Sequence, residues 1–548
     1  MSDIPSIFND VLGPVMRGPS SSHSAAALRI GRFALDLMGG ELTHVRVDYD
    51  PSGSLVTTHD CQGSDLGLFG GLMGWETDDE RLPNFRDEIK KAGIEVEICY
   101  TSYGAEHPNT YRLTMRNATR ERSLEAISTG GGMIVIQNID GFPVELKGDY
   151  HETVIIVSGD DTANVVARLQ AEAELEDIIV SNQPERSLVI ARGRSPLPDS
   201  LVATLGRLPG IVSVDPVAAV LPVLGRKDLS VPFLSCEEML AYREQEGGTL
   251  SLAELATRYE AARGGITEAE VREKMGRLVD VFESSITTGL GGTSYEDRLL
   301  HYQSGGFSEK LSRGALIPSD ALNRVILYVT AMMEMKSSMG VIVAAPTAGS
   351  CGALPGAVFG VCDAMGLDRE HRIDALMVAG LIGVFITARS TFAAEVAGCM
   401  AECGSGSSMS AAALTGLAGG SFEQQLGAAS QALQNSFGMT CDTLANRVEA
   451  PCLGKNVMAA SNALACANMA LADYQHLIPL DQVIDAMREV GDLMPREICC
   501  TGLGGLAVTP TSRDLEKMLE DKKAASSCDS GSCQCQPDPT EKEAATPV

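Results

Sequence analysis

Between Thr43 and Tyr49 every second side chain is apolar, the pattern of a strand with one face on a core. Similar stretches predict strands at 95–100, 110–115 and 132–137. Helical spacing marks 22–37, after the turn at Gly18 and Pro19, and 65–74, where glycines recur. The pattern at 124–129 fits a short helix or a loop. Residues 1–150 thus read as an α/β unit.

A second unit follows over 151–222. It reads as strand 152–158, helix 160–175, short strands at 178–181 and 186–192, helix 198–208 and a last strand from Ile211. On the helix, Val165, Val166, Leu169 and Ala173 share one face. The order βαββαβ in so short a span is the split βαβ arrangement. This unit resembles an ACT regulatory domain. Its loop from Gly159 to Asn164 lacks the proline and glycine of the usual ligand-facing turn. Effector binding and a purely structural or dimerising role both stay open.

A linker at 223–234 leads to a region whose pattern is helical almost throughout, 235–522. Ser235 and Ser251 are N-caps followed by early acids. Core helices are expected at 323–339 and 374–388, and further helices at 421–437, 456–472 and 479–490. Residues 523–548 hold few large apolar side chains and predict a disordered tail carrying Cys528, Cys533 and Cys535. The expected fold is multidomain: α/β, then an ACT-like unit, then a large all-α domain.

Composition narrows the function classes. The formal charge is −29, against the clustered Lys and Arg that a nucleic-acid partner needs. The most apolar run, 375–388, ends at Arg389 and falls short of the roughly 20 residues that span a bilayer. It predicts a buried helix, with no membrane partner. The start shows no basic segment followed by an apolar one. The fifteen cysteines, an odd number, fit a reducing cytoplasm and thiols used as ligands or core residues. A homodimer is the default assembly.

Three cysteines stand out by their neighbours. Cys399 lies among Gly398, Gly404 and Gly406, where backbone can approach a bulky guest. Cys441 and Cys452 bracket a ten-residue stretch, and Cys452 follows Pro451 at a turn. Cys403 lies close by. No Cys-x2-Cys pair marks a zinc knuckle or a ferredoxin-type cluster. By spacing alone, core packing and iron–sulfur ligation are both open.

Longer motifs surround them. The segments 398–406, 441–452, 345–352 and 501–511 are similar to the α part of iron–sulfur-dependent L-serine dehydratases. Gly18-Pro19-Ser20-Ser21-Ser22-His23-Ser24 and His107-Pro108-Asn109-Thr110 are similar to the β part. The likeness covers roughly residues 5–515, with β, ACT-like and α parts fused in that order. It implies that Cys399, Cys441 and Cys452 hold a [4Fe–4S] cluster, and that its open iron acts as a Lewis acid while L-serine loses water to give pyruvate and ammonia. It implies substrate binding by Ser20, Ser21, Ser22, His23, Ser24, Asn109, Thr347, Gly349 and Ser350. A helix N-terminus rich in hydroxyls is suited to a carboxylate. His107, held extended before a proline, is expected to be catalytic.

One departure bears on chemistry. Where the family carries Gly-His-Gly-Thr-Asp, this chain has Cys61-Gln62-Gly63-Ser64-Asp65. An amide cannot exchange protons as imidazole does, so His59 is the expected substitute if the loop turns it inward, with Cys61 another option. A second departure, Asp442-Thr443-Leu444-Ala445-Asn446, lacks the proline and glycine of the family segment. Two rival readings follow: elimination from a related amino acid such as L-cysteine, as in the related cysteine desulfidases, or an amino-acid sensor without turnover. The tail cysteines offer a thiolate that could cap an open iron.

Overall fold

The computed structural model describes residues 4–159, 161–296 and 298–527, with the side chains of 523–527 left aside. Asp160 and the tail residues Cys528, Cys533 and Cys535 lie outside the described residues. The chain is a mixed α/β fold with many helices and several sheets.

The strands are β1 (Val15–Met16), β2 (His44–Tyr49), β3 (Glu95–Tyr100), β4 (Thr110–Arg116), β5 (Glu121–Gly130), β6 (Met133–Ile139), β7 (Phe142–Leu146), β8 (His151–Ser158), β9 (Asp177–Asn182), β10 (Arg186–Gly193), β11 (Ile211–Val217) and β12 (Ile342–Val343). Six form one sheet in the order β3-β2-β4-β5-β6-β7. Strands β2 and β3 run parallel and the other pairs antiparallel. Val45, Val47 and Tyr49 point inward with Leu113 and Met115, against Ile30, Phe33 and Leu37 of helix Ala26–Leu37. Helix Ser64–Leu72 lies on that helix, backbone against backbone. A methyl group at Gly71 would sit 2.1 Å from the Leu28 carbonyl oxygen, and one at Gly67 1.9 Å from that of Ser24. Glycine at these positions therefore sets how closely Ser24 approaches the 62–65 segment.

The stretch 124–129, undecided between helix and loop, lies within β5. Its inward positions include Arg122 and Ser128, which hide the alternation. Arg122 is tolerated there because Asp140 and Asp215 pair with it, each at 2.5 Å. Helix 160–175 is shorter than expected, Thr162–Glu172, and helix 198–208 spans Asp199–Leu205.

The four-stranded sheet has the order β11-β8-β10-β9 and is antiparallel throughout. Ile155 and Val157 of β8 face the two helices through Val165, Leu169, Leu201 and Leu205. Val154 and Ile156 face the other way and join the core of the six-stranded sheet. Burial on both faces explains an unbroken apolar run where a half-exposed strand would alternate.

From Cys236 onward the elements are helical except for β12. This strand pairs antiparallel with β1, Val15 opposite Val343. Ile7, Phe8, Val11 and Leu12 pack inside the helical core. Residues 4–16 are thus structurally part of the helical body, although the sequence assigns them to the 1–150 unit. Glu260 fixes them there: its carboxylate accepts from Ser6 Oγ at 2.5 Å and from the Ile7 N–H at 2.7 Å.

Helix Arg369–Arg389 is longer than the apolar run 375–388 suggests, because Asp368 caps it a turn earlier. By length and composition it could cross a membrane. Its residues Ile373 through Ile386 are largely buried within the helical core. The last helix, Pro510–Ser527, runs past the expected boundary at 522.

Candidate active site

The site is built where helices end. Helix Ala394–Cys399 is broken by Gly398, whose φ of 61° and ψ of −165° suit only glycine. The chain then turns through Met400–Gly404 into helix Ser405–Leu417. This break presents Cys399 and Glu402 on the same side. Cys441 is brought in by short pairing with 498–500: its N–H donates to the Ile498 carbonyl and its carbonyl accepts from Cys500, both at 2.8 Å.

The Cys399 and Cys441 sulfurs and a Glu402 oxygen lie within 4.8 Å of one another, a group able to hold a metal ion. Cys452 opens helix Ala450–Leu471 with Pro451 in its first turn. It is buried beside this group and acts electrostatically on Cys403, while Cys399 and Glu402 push its own thiol pKa upward together with burial. Cys403 and Cys500 complete a cluster of five buried thiols. Hydrogen bonds from Cys403 and Cys441 hold Cys399 well below the usual thiol range, and sharing that proton system raises both partners.

Two lysines pin the 440–452 loop. Lys455 donates to the Thr440 carbonyl and to Asp442 Oδ1, each at 2.6 Å. Lys336, 1 % exposed, donates to the Val448 carbonyl. Asn456 ties three segments together. Its Nδ2 donates to the carbonyls of Cys452 and Gly349 at 2.8 Å, and its Oδ1 accepts from the N–H groups of Gly352 and Ala353.

Of the expected substrate residues, Thr347, Gly349 and Ser350 line this group. Thr347 Oγ1 donates to Glu402 Oε1 at 2.5 Å and lies 3.2 Å from Ser350 Oγ. A methyl at Gly349 would fall 2.6 Å from that same Glu402 oxygen. Burial raises the Glu402 carboxyl to about 8, with the Cys399 thiolate adding to the rise. Ser21 reaches the same loop, its Oγ accepting from the Ala348 N–H at 3.2 Å.

The other N-terminal residues arrange themselves around Ser21. Ser22 and Ser24 are buried, and Ser24 Oγ donates to the Gln62 carbonyl. His23 is held between Ser20 Oγ and Thr58 Oγ1, at 3.0 Å from each. Burial drops its pKa to about 4, so the ring is neutral at ordinary pH. Asn109 accepts from Ser54 Oγ and meets Glu395, four residues before Cys399.

The two histidines expected to be catalytic differ. His107 Nδ1 accepts from the Asn109 N–H at 3.1 Å, which places its proton on Nε2 in the neutral form, and burial lowers its pKa. Both nitrogens of His59 are engaged: Nδ1 with Asp65 Oδ1 at 2.7 Å, Nε2 with the Tyr100 hydroxyl at 2.9 Å. His59 therefore sits in a Tyr100–His59–Asp65 chain, with both ring nitrogens occupied. Gln62 is buried against Ser24, and the Cys61 carbonyl accepts from Arg447 Nη1 at 3.2 Å.

Sequence reasoning assigned no role to Glu402, Lys336, Asn456 or Cys500. The one signal for Asn456 is its place one helical turn after Cys452. The donor set suits an iron–sulfur cluster: buried thiols, glycine-bordered turns, and two buried hydroxyls nearby in sequence, Ser405 Oγ and Thr443 Oγ1, that lack a partner among the described residues.

Residues 247–507 match the family described as serine dehydratase alpha chain. The chain is 38% identical over 257 residues to the probable L-serine dehydratase alpha chain of Bacillus subtilis (strain 168), covering 46% of this chain and 84% of that one. It is 36% identical over 272 residues to the L-serine dehydratase alpha chain of Peptoniphilus asaccharolyticus, 49% of this chain and 92% of that one. The probable beta chain of the same Bacillus is 33% identical over 219 residues, 39% of this chain and 98% of that one. With alpha and beta relatives both matched by one polypeptide around this thiol site, the chain belongs to the iron–sulfur L-serine dehydratase family.

Proposed function

We propose that this protein is a lyase that dehydrates and deaminates L-serine to pyruvate and ammonia, with a [4Fe–4S] cluster on Cys399, Cys441 and Cys452. The observation that carries the reading is the convergence of Cys399, Cys441 and Glu402 beside the Thr347–Ser350 loop. When bound, the cluster supplies a Lewis acid for the departing hydroxyl.

The chain's own residues do the rest. Ser21, at the start of the turn Ser21–Ala25 that runs into helix Ala26–Leu37, takes the substrate carboxylate. Thr347 and Ser350 orient its polar groups. His107, neutral and with Nε2 free of any partner among the described residues, takes the α-proton. Glu402, kept protonated by burial, donates to the leaving oxygen. His59, fixed by Asp65 and the Tyr100 hydroxyl, positions the loop that carries Gln62. Gln62 holds the loop where the family places a histidine. The βαββαβ unit serves as the ACT-like part. The protein works in the cytoplasm as a homodimer.

Anaerobically purified protein tests this directly. Iron and sulfide counts with an absorption spectrum should show about four of each per chain, lost in Cys399→Ala, Cys441→Ala and Cys452→Ala. Pyruvate release should be fastest from L-serine when L-serine, L-threonine and L-cysteine are compared. Faster release from L-cysteine would make the protein a desulfidase, and an intact cluster with no turnover of any of the three would make it a sensor.

A further inference from the structure

A cavity of about 440 Å³ lies where the N-terminal segment, the stretch after β11 and helix Glu268–Gly291 meet. It shares no lining residue with the thiol site. Leu12, Leu28, Val220, Leu221 and Leu278 give it an apolar wall. Among its charged lining residues Arg29, Arg32, Lys274 and Arg277 outnumber Glu76 and Asp78, and Arg32 is paired with Glu76.

Arg29 is the telling residue. It is 4 % exposed. Its Nη1 donates to the Gly132 carbonyl at 2.6 Å, with Met133 Sδ at 3.9 Å. Its Nε is buried with no partner, and it forms no ion pair among the described residues. Asp10 and Glu76 act on it only from farther off, and burial lowers its pKa to about 10. Removing a guanidinium from water without a paired anion is costly. Arg29 is also among the residues that line an empty space large enough for a small molecule.

We propose that this cavity is an effector site for a small organic carboxylate with an apolar body, its carboxylate seated on Arg29. A guanidinium fork matches a carboxylate with two parallel hydrogen bonds. Lys274 and Arg277 add positive potential at the mouth, and the leucines take the apolar body.

The position gives the site a route to catalysis. Gly13, Pro14 and Val15 line the cavity, and the Gly13 N–H donates to the Ala344 carbonyl at 2.9 Å while the Ala344 N–H donates to Pro14 at 3.0 Å. Ala344 follows β12 and leads straight into Thr347, which holds Glu402. Arg29 itself lies on helix Ala26–Leu37, which continues from the turn that Ser21 begins. On the far side, Ala219–Pro222 continue from the βαββαβ unit, and the Val223 N–H bonds Asn9 Oδ1 at 2.9 Å. A bound carboxylate braces all three segments, so it changes KM for substrate by about five-fold or more.

Isothermal titration calorimetry on the full chain tests the site with butyrate, butyramide and inorganic phosphate. Butyrate should bind the parent protein and Thr347→Ala alike, and butyramide should not bind. Arg29→Gln should abolish binding. The double change Lys274→Glu with Arg277→Glu, on a solvent-facing helix, should weaken it at least about ten-fold and carries the test if Arg29→Gln does not fold. The proposal is overturned if butyrate binds no better than butyramide, if the double change leaves affinity unaltered, or if Thr347→Ala removes binding. Phosphate bound in place of butyrate would overturn the apolar-bodied ligand.

Discussion

Replacing Gly398 by alanine tests whether backbone geometry, and not the thiols alone, makes the metal site. Gly398 has φ 61° and ψ −165°, a region an L side chain enters at a cost of about 1–3 kcal/mol. There is no room either. The added methyl would lie 2.7 Å from the Met439 carbonyl oxygen, 2.7 Å from Met494 Cε and 3.3 Å from the Cys441 nitrogen. The methionine end can swing away, but the carbonyl and the amide belong to the segment that delivers Cys441. Overpacking of this kind costs about 1–3 kcal/mol more. The sum, about 2–6 kcal/mol, is a large part of a domain's stability. If the backbone relaxes to relieve it, Cys399 moves relative to Cys441 and the shared site is lost.

The internal control is Gly454→Ala, two residues from Cys452. Gly454 is exposed, within helix Ala450–Leu471, and an added methyl meets nothing within 4 Å. There the same chemical change should stabilise by about 0.5–1 kcal/mol. Urea unfolding of metal-free protein, with cadmium binding followed by thiolate charge-transfer absorption, reads both effects. Gly398→Ala should lower the midpoint and weaken cadmium binding, while Gly454→Ala should raise the midpoint and bind as the parent does. Equal shifts for the two variants, or full cadmium affinity in Gly398→Ala, would refute the reasoning.

Three further outcomes are expected. Burial raises Glu260 from 4.5 to about 7, so the folded state holds its proton more tightly. The stability this contributes is complete below pH 4.5 and is lost as pH rises through 7, by about 3 kcal/mol; Glu260→Gln should flatten that slope in urea unfolding between about pH 5 and 8. Burial lowers His23 from 6.5 to about 4, so its contribution is complete above pH 6.5 and is lost as pH falls through 4. The ring proton shifts of His23 should stay constant over about pH 6 to 8, and a titration in that range would contradict its buried, neutral state. Lys336→Met removes the donor to the Val448 carbonyl and should weaken cadmium binding roughly ten-fold, with unchanged affinity arguing that the lysine only fills space.

Much of the scaffold is legible in the chain because it follows periodicity. His44–Tyr49 alternates since one face meets helix Ala26–Leu37, and Ser251 announces a helix by a capping box that the structure contains. The stretch 124–129 is not legible, because register shifts bury Ala126, Ile127 and Ser128 in succession, and the partner that permits Ser128 inside, the Ser22 carbonyl, is distant in sequence. The placement of residues 4–16 in the helical core is hidden for a similar reason: Glu260, which holds Ser6, sits some 250 positions away. In the site, cysteines and hydroxyl-rich turns are visible as types. Their meeting is not, since it rests on a glycine break at 398, on pairing of Cys441 with 498–500 and on Asn456. His59 shows the limit most plainly. Its sequence position makes it the natural stand-in for a histidine at 62, yet Asp65 and Tyr100 claim both of its nitrogens.

The joints between the α/β part and the helical part fall on the loops that carry the site. Ser21 meets Ala348, the Cys61 carbonyl meets Arg447, and the Ser52 carbonyl accepts from Arg496 at 3.0 Å. Ala348 lies in the loop that holds Glu402, Arg447 lies between Cys441 and Cys452, and Arg496 precedes the segment that pairs with Cys441. Docking of the first part therefore fixes the same backbone that gathers the thiols. A docking surface elsewhere would let the two parts separate without disturbing the sulfurs; this one couples them. That coupling gives a reason for Gln62 to be buried. With its carbonyl bound by Ser24 and its neighbour bound by Arg447, residue 62 is part of the joint.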